Sequence, residues 1–368
     1  MSDEELKHAI ALSAVPGVGD VITKTLVSYC GGVENIFHKK KSQLQKVPGI
    51  GAVTAEAIIS FRDFSAAEKE VKFLHKHGIE ALFYTDENYP SALKQIDDAP
   101  SLLFYKGNCK LNAQKFIAIV GTRHATEYGK AWTEKFIEDI APHAPVIVSG
   151  LAFGIDIAAH RAALKNNLQT IAVLGHSFNT IYPGQHRATA EKITEQGGLL
   201  TEFATFDEFR KENFPERNRI VSGMCEAVII VESAAKGGAL ITAEIAAGYN
   251  KDVFAVPGRA TDVFSAGCHA LIKQNKAALI ESAEDFVQMM SWKKEETKSE
   301  KVKQREILFE LEPNEQTVVD AIRARDPMHI DELMLSLAMS SSHLASALLT
   351  LEMKGVVKGM PGKMYKLN

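Results

Sequence analysis

The sequence predicts an α/β fold built on a doubly wound, mostly parallel sheet, flanked by an N-terminal helical domain and a C-terminal winged-helix domain. Three observations carry that expectation. Between Phe116 and Gly258 six apolar runs, FIAIVG, PVIVSG, TIAVLG, GLLTEF, AVIIVES and DVFAVPG, each lead into a turn and then a helical pattern. Near-continuous Val, Ile and Leu marks strands buried on both faces, hence parallel strands covered by helices. The pentapeptide VPGVG at Val15 to Gly19 returns as VPGIG at Val47 to Gly51, and three amphipathic segments followed by a hairpin pattern close the chain. The expected division is a helical domain with two helix-hairpin-helix-like motifs at 1–65 and a sheet domain at 66–290, with 66–112 as lead-in. A charged linker at 291–307 then joins the winged helix at 308–368.

In the first segment each VPG(V/I)G is preceded and followed by a helix-like stretch. A tight Gly-x-Gly turn opening a helix exposes backbone N–H groups suited to a phosphate. The same glycines also serve close helix packing, so both roles stay open. Residues 66–112 read as a helix, a short strand at Ala81 to Tyr84 and a lead-in to the sheet. After Asp285 the pattern fades into SWKKEETKSEKVKQRE, a mixed-charge linker or solvated helix. Amphipathic segments at Thr317–Arg325, Ile330–Ala338 and Ser341–Lys354 precede VVKGMPGKMYKL, two short strands about a Pro-Gly turn. A DNA-reading recognition helix presents arginines and lysines, whereas Ser341–Lys354 offers little beyond His343 and Lys354. A protein-contact or regulatory role fits that domain better.

Composition bounds the function. A chain of 368 residues with 46% hydrophobic content supports two or three cores. Its formal charge of -4 means that any polyanion site must be a local patch. The four cysteines, Cys30, Cys109, Cys225 and Cys268, form no CxxC pair, which speaks against a zinc site or disulfide framework and for a reducing compartment. The opening MSDEELKHAIALSAVPG has no sustained apolar core, and no later run reaches membrane-spanning length, so the expectation is a cytoplasmic protein.

The chemistry sits at the strand ends. FIAIVGTRHATEYGK puts Gly121, Thr122 and Arg123 where the first parallel strand meets its loop, and Arg123 offers a planar fork that matches phosphate oxygens. IVSGLAFGIDIAAH puts Ser149, Gly150 and Gly154 at the next strand end, with Asp156 near a helix start where a carboxylate caps free amides. FPERNRI sets Arg217 and Arg219 on the first turn of a helix with Asn218 between them and Phe214 on the approach. A phosphate clamp beside a stacking surface suits single-stranded nucleic acid. Internal salt bridges for the arginines and core packing for Phe214 are the competing assignments. ESAAKGGALITAE brings Lys236, Gly237 and Gly238 just ahead of another helix, a further anion cradle. Four such loops at one sheet edge weigh more than any one alone. Asp156 and His160 stand i,i+4, as a cap plus a structural histidine, an acid/base pair, or two metal ligands without a recognisable third.

Nucleotide signatures fail letter by letter. No GxGxxG follows a strand, and the Walker pattern near Gly129-Lys130 is broken by His124 at its first glycine and Ala131 at its hydroxyl.

Taken in order, GTRHATEYG, SGLAFGIDIAAH, AVLGHSFNTIYP, LLTEF, FPERNRIVSG, GGALITAEIA and VFAVPG resemble the DNA-processing protein A (DprA/Smf) family, densely from Ala81 to Asp285. The resemblance implies an extended Rossmann-like domain that forms homodimers, binds single-stranded DNA, protects it during natural transformation and loads RecA recombinase on it. No nucleotide cofactor, catalytic residue or metal is implied. The family's DNA-contacting arginine falls on Arg123, with Thr122 keeping the hydroxyl beside it. Its Phe-Pro-x-Arg-Asn-Arg segment falls on Phe214, Pro215, Arg217, Asn218 and Arg219, and its glycine loop on Gly237, Gly238 and Ala239. Phe153 stands at an often basic position, and serines common beside the glycine loop are absent at Gly237 and Ala239. That leaves backbone amides and Lys236 to compensate. The alternative function is a nucleotide-binding protein or a phosphoribohydrolase of the lysine-decarboxylase-like group. GGALITAE is one residue too long before Glu244 for that enzyme's motif and has Leu240 or Ile241 where it wants glycine.

Overall fold

The computed structural model describes residues 1–112, 115–292, 311–337, 339–360 and 362–367. The chain divides into two units, Met1–Glu295 and Glu296–Asn368. Most of the expected linker, from residue 293 onward, lies outside the described residues. Trp292, within the expected linker, instead belongs to the sheet domain's core: it is buried and packs edge-on against Phe286 at 5.2 Å.

The first unit begins with six helices: α1 (Asp3–Ser13), α2 (Asp20–Cys30), α3 (Val33–Phe37), α4 (Lys41–Leu44), α5 (Ala52–Ser60) and α6 (Ser65–His77). The two VPG turns connect α1 to α2 and α4 to α5. Gly17 and Gly49 hold the same left-handed conformation, φ 80° and 81°, which only glycine adopts without strain. Leu12, Leu26, Leu44 and Ile58 close a shared core beneath them.

Nine strands follow: β1 (Glu80–Phe83), β2 (Leu102–Gly107), β3 (Phe116–Val120), β4 (Val146–Ser149), β5 (Thr170–Val173), β6 (Gly197–Thr201), β7 (Ala227–Ile230), β8 (Asp252–Ala255) and β9 (Ala278–Leu279). They form one sheet in the order β1-β2-β6-β5-β4-β3-β7-β8-β9. Strands β3 to β9 run parallel, whereas β2 pairs antiparallel with both β6 and β1. The six apolar runs thus supply β3 to β8, and β2 is an element the sequence left inside the lead-in.

Seven helices cover the sheet: α7 (Glu127–Ile140), α8 (Ile155–Lys165), α9 (Arg187–Glu195), α10 (Asn213–Met224), α11 (Gly238–Gly248), α12 (Ala266–Lys273) and α13 (Ala283–Met289). Alternation along each strand sorts the core into two layers. Ala118, Val120, Val148 and Val228 face α10 and α11 through Ile220, Val221 and Ala243. Ile117, Ile119, Ile147 and Ile229 face α7 and α8 through Phe136, Ile137 and Ala159. Because β4 lies on one side of β3 and β7 on the other, the winding reverses between β3 and β7. A crevice opens there beyond the strand carboxyl ends, where ligands of such sheets bind.

The second unit holds α14 (Pro313–Ala324), β10 (Met328–His329), α15 (Ile330–Leu337), α16 (Ser341–Met353), β11 (Val357–Met360) and β12 (Met364–Leu367). The hairpin is as read from the sequence, and the two-residue β10 pairs with β12 to complete a three-stranded wing. Among the described residues no single helix is long and apolar enough to cross a membrane.

Candidate functional site

At the reversal point lies a cleft of about 300 Å³. Its walls are the β3 end from Val120 to Arg123, Gly150 and Ala152 after β4, the Ser233–Thr242 stretch entering α11, and the Phe214–Val221 side of α10. Glycines allow the loops to meet. At Gly154 φ is +79°, and a Cβ would fall on the backbone of Thr122 and Arg123. The Ile155 amide donates to the Thr122 carbonyl at 3.2 Å, and the Thr122 amide to the Glu232 carbonyl at 2.8 Å. The first two strand-end loops are thereby pinned together, and to the end of β7.

Arg217 forms the floor of the cleft. Only 4% of it is exposed, its guanidinium donates to the Val173 carbonyl, and a Cβ on Gly150 would overlap it. Burial draws its pKa down to about 10, with Asp156 opposing the shift and Arg123 reinforcing it. Asp156 is equally buried and accepts from the Gly150 and Ala152 amides at 3.1 and 3.4 Å. Burial raises its pKa while Arg217 and those amides hold it down. The carboxylate therefore caps its own loop and balances the arginine. Ser149 lies beneath, its hydroxyl donating to Ile119 at 2.6 Å. Nε of Arg217 has no hydrogen-bond partner.

Arg123 stands exposed at the rim with its guanidinium carbon 6.0 Å from the centre of the half-buried Phe214 ring, within cation–π range. Asn218 lines the same wall, one position on from Arg217. Gly237 caps α11 without a side-chain hydrogen bond, its own amide donating to the Ala234 carbonyl at 2.9 Å, so the helix opens into the cleft through the backbone of Gly238 and Ala239. Lys236 is exposed in that loop but is not part of the cleft lining. Charged side chains in the lining are Arg123, Arg217 and Asp156, a local positive excess on a negatively charged molecule.

Arg219 is not brought to this site. Its guanidinium binds Glu202 after β6, Asp20 at the start of α2 at 3.2 Å, and the Asp98 carbonyl. Asp20 also accepts from the Ser101 amide and hydroxyl at 2.7 and 2.9 Å. Of the two assignments open in the sequence, the phosphate clamp and the internal salt bridge, the geometry gives Arg219 the salt bridge.

The other carboxylates take structural positions. Glu232 is buried and accepts from the amide and hydroxyl of Thr126, the N-cap of α7. Glu244 lies exposed, 3.7 Å from Lys276 and away from the cleft lining. His160 is fully buried against Thr170, and among the described residues no group of three or more His, Cys, Asp or Glu is placed to hold a metal ion. Sequence reading passed over Tyr182 and Phe209, whose rings lie 5.6 and 5.7 Å from Phe214. The IYP and EFRKEN segments carried the only signal, isolated aromatics in polar loops.

A doubly wound sheet with helices on both faces and a cationic, amide-lined crevice at its reversal point defines a Rossmann-like α/β protein. The model for DNA recombination-mediator protein A matches residues 80–291, flanked by a SAM-like helix-hairpin-helix tandem at 9–62 and a DprA winged helix domain at 303–363. The chain belongs to that family, DprA/Smf, as its motifs suggest. It is 31% identical to the protein Smf of Synechocystis sp. over the full length of both chains. It is 43% identical to the DNA processing protein DprA of Streptococcus pneumoniae across 55% of this chain and 71% of that one. The X-ray structure of the S. pneumoniae protein superposes with a TM-score of 0.67 at 32% identity, covering 78% of this chain and 98% of that one. DNA processing protein A of Helicobacter pylori, solved for its single-stranded DNA binding mode, gives 0.53 at 31% identity, covering 58% and 95%.

Proposed function

We propose that this chain binds single-stranded DNA in the cleft and, as a homodimer, protects incoming DNA and passes it to RecA recombinase during natural transformation. The observation that carries the reading is Arg123 poised over Phe214 at the cleft rim: an exposed guanidinium for a phosphate beside an aromatic ring for a base. Arg217 supplies positive potential from below, Asn218 offers a polar edge, and the first helical amides of α11, Gly238 and Ala239, face a second phosphate. Lys236, outside the lining but exposed in the same loop, adds positive charge near that second phosphate. The H. pylori relative, similar over more than half of this chain, was solved for single-stranded DNA binding, which supports the same ligand here. We assign DNA binding to 66–290 and partner contacts to 308–368. The work is binding and hand-over rather than turnover, in the cytoplasm, and needs no cofactor.

Fluorescence anisotropy with a labelled poly-thymidine oligonucleotide, repeated over a salt series and with duplex competitor, tests this. Arg123→Ala is expected to weaken binding at least about tenfold and to flatten the log–log salt slope by about 0.7, the share of one phosphate contact on a single strand. Wild-type affinity and slope in that variant remove the proposed site.

A further inference from the structure

We propose that Tyr182 and Phe209, with Phe153 at their margin, continue the stacking surface beyond Phe214 and hold the unpaired bases of single-stranded DNA as the strand leaves the cleft. The inference rests on the cleft being the single-strand site.

The aromatic side chains that carry it are exposed and adjacent: Phe153 is 40% exposed, Tyr182 46% and Phe209 49%. An exposed aromatic patch on a soluble domain marks a contact surface. The rings of Tyr182, Phe209 and Phe214 form a triangle with centroids 5.5, 5.6 and 5.7 Å apart and planes inclined by 57° to 77°. Each ring steadies the next by its edge, and the shelf is thereby organised before any ligand arrives.

Two stretches of chain far apart in sequence converge to build it. Phe214 comes from α10, Phe209 from the loop before it, and Tyr182 from the loop after β5. The Tyr182 amide donates to Nε2 of buried His176 at 3.2 Å, and Nδ1 of that histidine meets the Ser177 carbonyl at 2.9 Å. Both ring nitrogens are occupied in the neutral form, and the backbone under Tyr182 is fixed. Packing offers no evident reason to leave such rings half in water.

Continuity with the cleft identifies the occupant. A small recess beside the shelf is lined jointly by Arg123, Phe153, Tyr182 and Phe214. The guanidinium that would hold a phosphate therefore borders the rings that would receive the following bases. Nucleobases present π-faces at every step whatever their sequence, and successive bases stack on successive aromatics.

Anisotropy with intact and fully abasic oligonucleotides of the same length separates the possibilities. Tyr182→Ala and Phe209→Ala are expected to weaken binding of the intact strand roughly five- to hundredfold each and to leave the already weaker abasic strand unchanged. Phe209→Leu, which keeps apolar bulk and removes the ring, is expected to lose affinity likewise. Tyr182→Phe, which keeps the ring, is expected to bind as wild type. Wild-type affinity of Phe209→Leu and Tyr182→Ala for the intact strand, or equal losses on both strands, overturns the proposal. Arg123→Ala is the separating control: it weakens both strands if the cleft is the site, and wild-type affinity there overturns the cleft assignment itself.

Discussion

Arg217 and Arg219 stand two residues apart on α10 and end on opposite sides of it, one under the cleft and the other bound to Glu202 and Asp20. Helical geometry requires this, since two residues turn through about 200°. Arg219 joins helix α2 to the strand-end of β6 through largely buried groups, 15% exposed at the arginine and 14% at Glu202. Removing it strands a buried carboxylate. Arg219→Ala is expected to cost roughly 3 kcal/mol of unfolding free energy in urea titration. DNA affinity, measured well below the melting transition, is expected to change less than about twofold, because no cleft group is lost.

Arg123 and Arg217 divide the work at the cleft in the opposite sense. Arg123 is exposed and Arg217 is held by the Val173 carbonyl and the charge of Asp156. Arg123→Ala is therefore expected to lie within about 0.5 kcal/mol of wild-type stability while binding DNA poorly. Arg217→Ala is expected to lose about 3 kcal/mol or more, and Arg217→Lys to recover only part of it, since an ammonium does not reproduce the fork. Paired urea and anisotropy titrations check both. Equal stability losses in the two alanine variants would contradict this division.

The strands β3 to β8 were legible because burial on both faces leaves a continuous apolar run that few other elements mimic. β2 was not, although SLLFYKG is apolar. Its identity as a strand depends on pairing antiparallel with β6, Phe104 against Thr201, nearly a hundred residues away. At the site, glycine turns and helix starts announced the loops of Gly121, Gly150 and Gly237, because such conformations constrain residue type locally. The fate of Arg219 was half legible. Spacing on one helix already separates it from Arg217, but its partner Asp20 lies 199 residues earlier and has no local signature. Tyr182 and Phe209 were invisible as a pair for the same reason, since only the tertiary fold brings their loops together.

Gly154 makes the meeting of the first two strand-end loops possible. Its φ of +79° with ψ of -123° suits glycine alone, and a side chain there would displace the Thr122–Arg123 backbone. Gly154→Ala is expected to lower stability by about 2 kcal/mol or more. The same displacement moves Arg123 from Phe214, so DNA affinity is expected to fall about tenfold or more even where the protein remains folded. A stable variant with wild-type affinity would show that the loops tolerate separation.

Acid sensitivity follows from His160. The Thr170 hydroxyl gives its proton to the Ile147 carbonyl at 2.7 Å, so its oxygen accepts from Nδ1–H of His160, also at 2.7 Å. Nε2 is then left as a buried acceptor without a partner, and a proton added there would find none either. Burial holds the pKa down at about 3, with Arg217 and His186 adding to the effect. The folded protein keeps His160 neutral while the unfolded chain takes up a proton near pH 6.5. Between those two values the unfolded state binds more protons, so stability falls as pH falls, by about 1.4 kcal/mol per pH unit from this group. Going from about pH 7 to about pH 4.5, wild type is expected to lose about 2.5 kcal/mol that His160→Gln does not lose. Urea unfolding of both proteins at the two pH values measures the difference directly. Parallel pH dependences in the two would mean that the imidazole at 160 is protonated in the folded protein as readily as in the unfolded chain.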